Sequence, residues 1–269
     1  MTAVDPGPAA AHAEHRRRSP VRTGCAHAHS CSPEHRRMVL GRSPLFASLS
    51  PAQLDAVNAL VSTRSWEAGE HLHVQGEPER ALHLIATGSV LLETTMPDGR
   101  TAGTELLGSG GLVGSLAGAV GADRGGEEAV QPDSARALTT VCAVVIDDEV
   151  LARVVRSAPG VAMAMLEDFG SRLAGARTRA VTRSTGGVPQ RAARVLLELA
   201  EQAGEEQEDG SVLVQVPLSR EDLAGLAATT TESVSRVMSQ WKRDGLVSSG
   251  RRWIAIRDTA TLERIATGE

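Results

Sequence analysis

The sequence predicts an α+β protein in three parts: an antiparallel β module, a long helix, and a helix-turn-helix with a β wing. Three observations predict it. Between Thr63 and Asp148, short apolar runs alternate with Gly, Pro and Asp, the punctuation of strands joined by tight turns. From about Asp148 to Arg183 the pattern becomes helical, with apolar residues at steps of three and four. From Pro217 onward a capped short helix, a turn, a second helix and an alternating strand follow one another, which is the order of a winged helix-turn-helix.

At 269 residues the chain is long enough for two ordinary modules. Aromatic residues are only 2% and tyrosine is absent, so the cores must rest on Leu, Val, Ile, Ala and Met. A net charge of -5 gives no global signature of nucleic-acid binding, and any DNA-binding surface must therefore be a local basic patch. The start lacks an apolar leader, and the longest uncharged run, Leu106 to Ala122, is too rich in Gly and Ser for a membrane span. A cytoplasmic protein with no membrane partner is expected. Three cysteines do not make a disulfide scaffold; in a reducing compartment they more often serve as metal ligands, redox sensors or small buried hydrophobes.

Taken in order, residues 1 to 22 hold Ala, Pro, His and Arg with no hydrophobic period and are expected to be disordered unless a partner orders them. "TGCAHAHSC" follows at 23 to 31, with two cysteines and two histidines in nine residues. A helical lead-in begins after Ser43, where Ser50 is the N-cap and Pro51 the first helical residue. The strands then include "ALHLIATGSVLLETT" and "ALTTVCAVVID", and Asp98-Gly99 is the strongest hairpin signal among them. Along the long helix Met165, Phe169, Leu173, Ala176 and Ala180 step down one face and are expected to form a homodimer seam, where small residues let two backbones approach. "TGGVP" at 185 to 189 breaks this helix as a hinge, and one amphipathic helix follows.

The block "PLSREDLAGLAATTTESVSRVMSQWKRDGLVSSGRRWIAIRD" carries the most specific signal. Ser219 caps its first helix with Asp222 three residues on, beside Arg220. The second helix opens at Thr230 or Thr231 and turns Glu232, Ser233, Ser235 and Arg236 outward, while Val234, Val237, Met238 and Trp241 face inward. Such a polar row suits a DNA major groove, with Arg251 and Arg252 of the wing near phosphates. A small helical module that binds protein instead is the alternative; duplex binding that falls steeply with salt separates the two.

From roughly Cys25 to the end the chain resembles the CRP/FNR superfamily of bacterial transcription regulators, most strongly in "SREDLAGLAATTTESVSRVMSQWKRDGLV". The resemblance implies a β-roll sensor of the cyclic-nucleotide-binding type, a dimerisation helix and a winged helix-turn-helix. It places a flexible N-terminal segment with its Cys/His loop at 1–37, the β-roll at 38–150, the dimerisation helix at 151–185 and the DNA-binding domain at 186–269. The reading helix looks FNR-type: Glu232, Ser235 and Arg236 fit Glu-x-x-Ser-Arg, and Thr231 stands where the cyclic-AMP type has arginine. A homodimer on a palindromic site with TTGA-like half-sites follows from the resemblance, as does contact with RNA polymerase. Arg can bind guanine O6 and N7 in two-pronged fashion, and Glu can accept from a cytosine amino group.

Relatives that bind cyclic nucleotide carry Gly-Glu-Leu and then Arg-Ser or Arg-Thr. Here Gly114, Ser115 and Leu116 lack the glutamate, and neither Arg124 nor Arg136 precedes Ser or Thr, so a cyclic nucleotide is the second choice of effector. FNR-type oxygen sensors instead hold an iron-sulfur cluster with N-terminal cysteines, the last two spaced C-x5-C, and one cysteine late in the β-roll. Cys25, Cys31 and Cys142 match, while Arg22 stands where a further cysteine is expected. The resemblance thus implies a 4Fe–4S cluster on these three cysteines, and its fourth ligand stays open: His29 first and His27 second, then His15 or an acidic residue upstream, or an exogenous donor. A thiol switch, or zinc held with the two histidines, stays open. No nucleophile elbow, Walker loop, His-Glu-x-x-His or dinucleotide fingerprint can be read, so no enzyme is expected.

Overall fold

The computed structural model describes residues 32–78, 80–99, 101–114 and 130–268. The chain enters through α1 (Pro33–Arg42), a 3₁₀ turn (Pro44–Phe46) and α2 (Pro51–Leu60). Ser50 caps α2 with a full capping box: its hydroxyl accepts from the Gln53 amide, and the Gln53 side chain accepts from the Ser50 amide. Eight strands follow: β1 (Ser62–Trp66), β2 (His71–His73), β3 (Ala81–Thr87), β4 (Val90–Thr95), β5 (Thr101–Leu107), β6 (Leu112–Val113), β7 (Ser134–Ala137) and β8 (Val141–Asp147). They form two antiparallel sheets, β1-β8-β3-β6 and β2-β7-β4-β5. The Asp98-Gly99 signal holds. Gly99 has φ +82°, its amide bonds the Met96 carbonyl at 2.9 Å, and β4 pairs with β5 from Thr95 opposite Thr101.

Alternation decides what each face meets. Trp66, Ile85, Val90, Leu92, Ala135, Ala137, Val141 and Ala143 pack between the two sheets. Leu82, Leu84, Val144 and Ile146 point the other way from β3 and β8, onto Leu40, Phe46, Val57 and the helices that follow the roll. The outer face of the second sheet sends Leu91 and Leu106 into the core of the C-terminal module, joined by Leu138 just beyond β7.

The long helix expected from Asp148 is two, α3 (Asp148–Ser157) and α4 (Pro159–Ser184). Pro159 has no amide to donate and disfavours helical backbone at Ala158, which sits at φ -142° and ψ 81°. The expected seam divides. Met165 is 6% exposed and packs, with Phe169, on the chain's own β-roll, whereas Leu173, Ala176 and Ala180 are exposed. The apolar stripe left outside is Met163, Leu166, Leu173 and Val181, with Leu166 65% exposed. Arg172 donates to the Leu112 carbonyl at 2.7 Å and Arg179 pairs with Glu105 at 3.2 Å, which lashes α4 to the roll.

At the break, Gly186 takes φ +82° and the Gln190 side chain accepts from the Gly187 amide, opening α5 (Val188–Ala203). The rest comprises β9 (Gly204–Glu206), β10 (Val212–Val214), α6 (Arg220–Leu226), α7 (Thr231–Arg243), β11 (Val247–Ser249), β12 (Ile254–Ile256) and α8 (Thr259–Thr267). The sheet order is β11-β12-β10-β9, and Leu196, Leu226, Met238, Trp241, Ile256 and Leu262 fill the core between sheet and helices. No helix of the described residues is long and apolar enough to cross a membrane.

One buried base inside the roll has a measurable consequence. His83 lies between the sheets, its ring edge-on to Trp66 at 5.3 Å. Burial first, then His73 and Arg64, push its pKa from 6.5 down to about 4, against a hydrogen bond with the Val113 backbone. Because the folded value lies below the unfolded one, the contribution to stability is complete above about pH 6.5 and is lost as pH falls through about 4. Protonation is expected to cost about 3 kcal/mol in all. Urea unfolding at pH 7 and pH 4 checks this: His83→Leu should lose that share of the pH dependence, and an unchanged dependence would refute it.

Candidate DNA-reading and sensing sites

The reading surface is assembled by capping chemistry. The Ser219 hydroxyl accepts from the Asp222 amide at 3.0 Å, and Asp222 Oδ2 accepts from the Ser219 amide at 2.8 Å and its hydroxyl at 2.7 Å. This starts α6 with its orphan donors satisfied. Ala228, in the left-handed region at φ 46°, makes the turn, and the Thr230 hydroxyl caps α7 by accepting from the Ser233 amide at 3.2 Å. Val234, Met238 and Trp241 are buried on one side of α7. Thr230, Thr231, Glu232 and Arg236 are exposed on the other, with Ser233 and Ser235 half-buried between them.

Glu232 and Arg236 face each other across one helical turn, with Arg236 Nη2 donating to Glu232 Oε1 at 2.7 Å. Both are well exposed, so the pair contributes only about 0–1 kcal/mol and leaves both side chains free to swing. Arg220 is half-buried and reaches Ser249 at the foot of the wing, Nη2 to Oγ 3.4 Å. Burial lowers its pKa. Arg251 and Arg252 are exposed at the wing tip, where the Gly250 amide bonds the Trp253 carbonyl at 3.0 Å. Every expected DNA-reading residue thus belongs to α6, α7 or the wing, or adjoins one of them.

The sensing residues divide differently. Cys142 is 2% exposed in β8, on the helix-facing side with Val144 and Ile146, and it pairs across the ladder with Ser65 of β1. Cys25, His27, His29 and Cys31 lie outside the described residues. Ser32 caps α1, its hydroxyl accepting from the His35 amide. Asn58, four residues before β1, donates to the Pro33 carbonyl at 2.9 Å and ties that entry point to the end of α2. Among the described residues, no three His, Cys, Asp or Glu side chains are grouped to hold a metal.

The interior holds residues that sequence reasoning passed over. Trp66 Nε1, His73 Nδ1 and His83 Nδ1 are buried with no hydrogen-bond partner among the described residues, while His73 Nε2 meets Asp133 at 3.1 Å. The available signal was a histidine inside each of the apolar runs "HLH" and "ALHLIAT". Arg136 is no phosphate ligand inside the roll. Ala135 and Ala137 point inward, so Arg136 points out, onto Glu93 and Asp222.

A β-roll joined by a long helix to a winged helix-turn-helix with an exposed polar row defines a sensor-coupled DNA-binding protein. Residues 63–158 match the cyclic nucleotide-binding domain family and residues 190–265 the Crp-like helix-turn-helix domain family. The cyclic AMP receptor protein of Thermus thermophilus is 30% identical over 84% of this chain and 98% of its own. The transcriptional activator protein FnrL of Cereibacter sphaeroides is 27% identical over 74% of this chain and 78% of its own. A solved CRP/FNR-family transcriptional regulator from Thermus thermophilus superposes with a TM-score of 0.62 at 25% identity, covering 76% of this chain and 98% of that one. The chain belongs to the CRP/FNR family of DNA-binding transcription regulators.

Proposed function

We propose that this regulator binds a palindromic, TTGA-like site as a homodimer and that a redox-sensitive iron–sulfur cluster sets its DNA affinity. The observation that carries the cluster reading is the place of Cys142. Its strand neighbours β1, and the chain that has just passed Cys25 and Cys31 enters where α1 is tied to the residues leading into β1. Thiolates from a wrapping loop and an anchored strand suit such a cluster, and a buried thiolate is stabilised by metal. Cys25, Cys31 and Cys142 would hold it, with His29 as fourth donor; when bound, the cluster supplies oxidant-labile iron–sulfur chemistry. Cys142 anchors one side on β8, which runs directly into α3 and α4, and the stripe Met163, Leu166, Leu173 and Val181 on α4 would meet its two-fold mate. DNA-bound dimers would then engage RNA polymerase.

A second reading is a small effector between the sheets, cyclic nucleotide included. Trp66 Nε1, His73 Nδ1 and His83 Nδ1, without partners among the described residues, favour it, and one relative is named a cyclic AMP receptor protein. Anaerobic reconstitution of the wild type and of Cys25→Ala, Cys31→Ala and Cys142→Ala separates the two. Each variant is expected to lose iron and sulfide, and wild-type affinity for a TTGA palindrome to change about 10- to 100-fold on exposure to air, a coupling of about 1–3 kcal/mol. Full iron in every variant, or no change in DNA affinity with cluster state, removes the cluster reading.

A further inference from the structure

We infer that Arg136 is a positioning residue through which the sensor sheet fixes the orientation of the DNA-reading head. It stands on β7, on the outer face of the second sheet, opposite His71 on one neighbour and Leu91 on the other. Its Nε donates to Glu93 Oε2 at 3.1 Å, and its Nη2 donates to Asp222 Oδ1 at 2.6 Å. His71 Nε2 closes the near end on Glu93 Oε1 at 3.3 Å. Asp222 is the residue whose other oxygen closes the capping box on Ser219, so the contacts run unbroken from the sheet to the first turn of α6.

The carboxylates of Glu93 and Asp222 are both buried, and the guanidinium between them supplies the charge that balances them, beside His71 on one and Ser219 on the other. Burial disfavours the Arg136 cation, yet Asp222 and Glu93 outweigh it and hold its pKa above the ordinary value. A second contact, free of charge, supports the same docking. Gly225 of α6 lies so near Gly103 of β5 that a Cβ there would stand 2.7 Å from the Gly103 amide nitrogen. Leu226 flanks this point, 3.6 Å from where a Gly103 Cβ would sit.

The two reading helices of a dimer must lie about one DNA turn, ~34 Å, apart to enter successive major grooves. A head held by these two contacts, beside the apolar packing of Leu91, Leu106 and Leu138, presents α7 in one orientation, so the docked contact would set which half-site separation is bound. This step rests on the dimeric DNA reading above.

Two variants test it by different means: Arg136→Ala removes the charged contact, and Gly225→Ala wedges α6 off β5 while leaving every charge in place. The probes are duplexes with two TTGA half-sites at the natural separation, the same with two base pairs inserted, and a single half-site. Amide exchange of the full-length protein is read beside them. Both variants are expected to speed exchange in α6 at least about tenfold over the wild type, leaving β1, β3 and β8 unchanged. The preference for the natural separation should fall about tenfold or more, with single-half-site affinity kept. Arg136→Lys, which keeps the cation, should recover part of both effects. Unchanged α6 exchange, exchange raised equally in β1, β3 and β8, or an intact spacing preference overturns the proposal. If the wild type ignores the duplexes altogether, the DNA reading fails, and α6 exchange alone still decides whether Arg136 docks the head.

Discussion

Arg236→Ala is expected to lower affinity for a cognate half-site by about 1–3 kcal/mol, roughly 5- to 150-fold, and to relax the preference at one guanine. Arg236 stands exposed one turn into α7, tethered only to Glu232. Its removal strips the helix of the donor pair that can bridge O6 and N7, and it leaves Glu232 without its cation close to phosphates. Non-specific binding should fall far less. Fluorescence anisotropy on cognate and randomised duplexes across a salt series reads both quantities, and equal losses on the two would reduce Arg236 to a phosphate contact.

Trp241→Ala is expected to cost about 3–5 kcal/mol of stability in the winged-helix domain. Trp241 is 5% exposed and packs from the inner face of α7 into a core otherwise built of aliphatic residues and Met238. No other aromatic ring is available there to collapse into the space. The interior of the roll, around Trp66, contains no residue of this domain and should keep its own unfolding transition. Urea unfolding followed by the fluorescence of the remaining tryptophans would show the early loss of one module; a cost under about 1 kcal/mol would contradict the packing described.

Much of the architecture was legible because it is written locally. Ser50 with Pro51, Asp98 with Gly99, Ser219 with Asp222, and Thr230 each act within a few residues, and each does in the structure what its type dictates. Met165 and Phe169 face the chain's own roll, unlike the lower part of the expected seam, for a geometric reason. Steps of four residues advance about 400° around a helix, so each overshoots a full turn by about 40°. The row Met165, Phe169, Leu173 therefore drifts from the face on the roll to open solvent, while Met163 and Leu166 mark the outer face. Pro159 was a readable break in the long helix. The charged contact of Arg136 with Asp222, 86 positions apart in sequence, left no local mark, and neither did the approach of Gly225 to Gly103. The cysteine spacing was plain in the sequence, but only Cys142 falls within the described residues.

Leu91, Leu106 and Leu138 belong to the roll yet sit in the core of the reading head. Sensor and output are therefore not interchangeable parts in this chain. A chimera grafting a foreign winged helix onto this roll would uncover three leucines unless the graft brought a matching apolar face and a small residue at the place of Gly225. Substitutions inside the roll, around Trp66 and Ile85, or on the exposed side of α7, at Glu232 and Arg236, leave that shared core untouched.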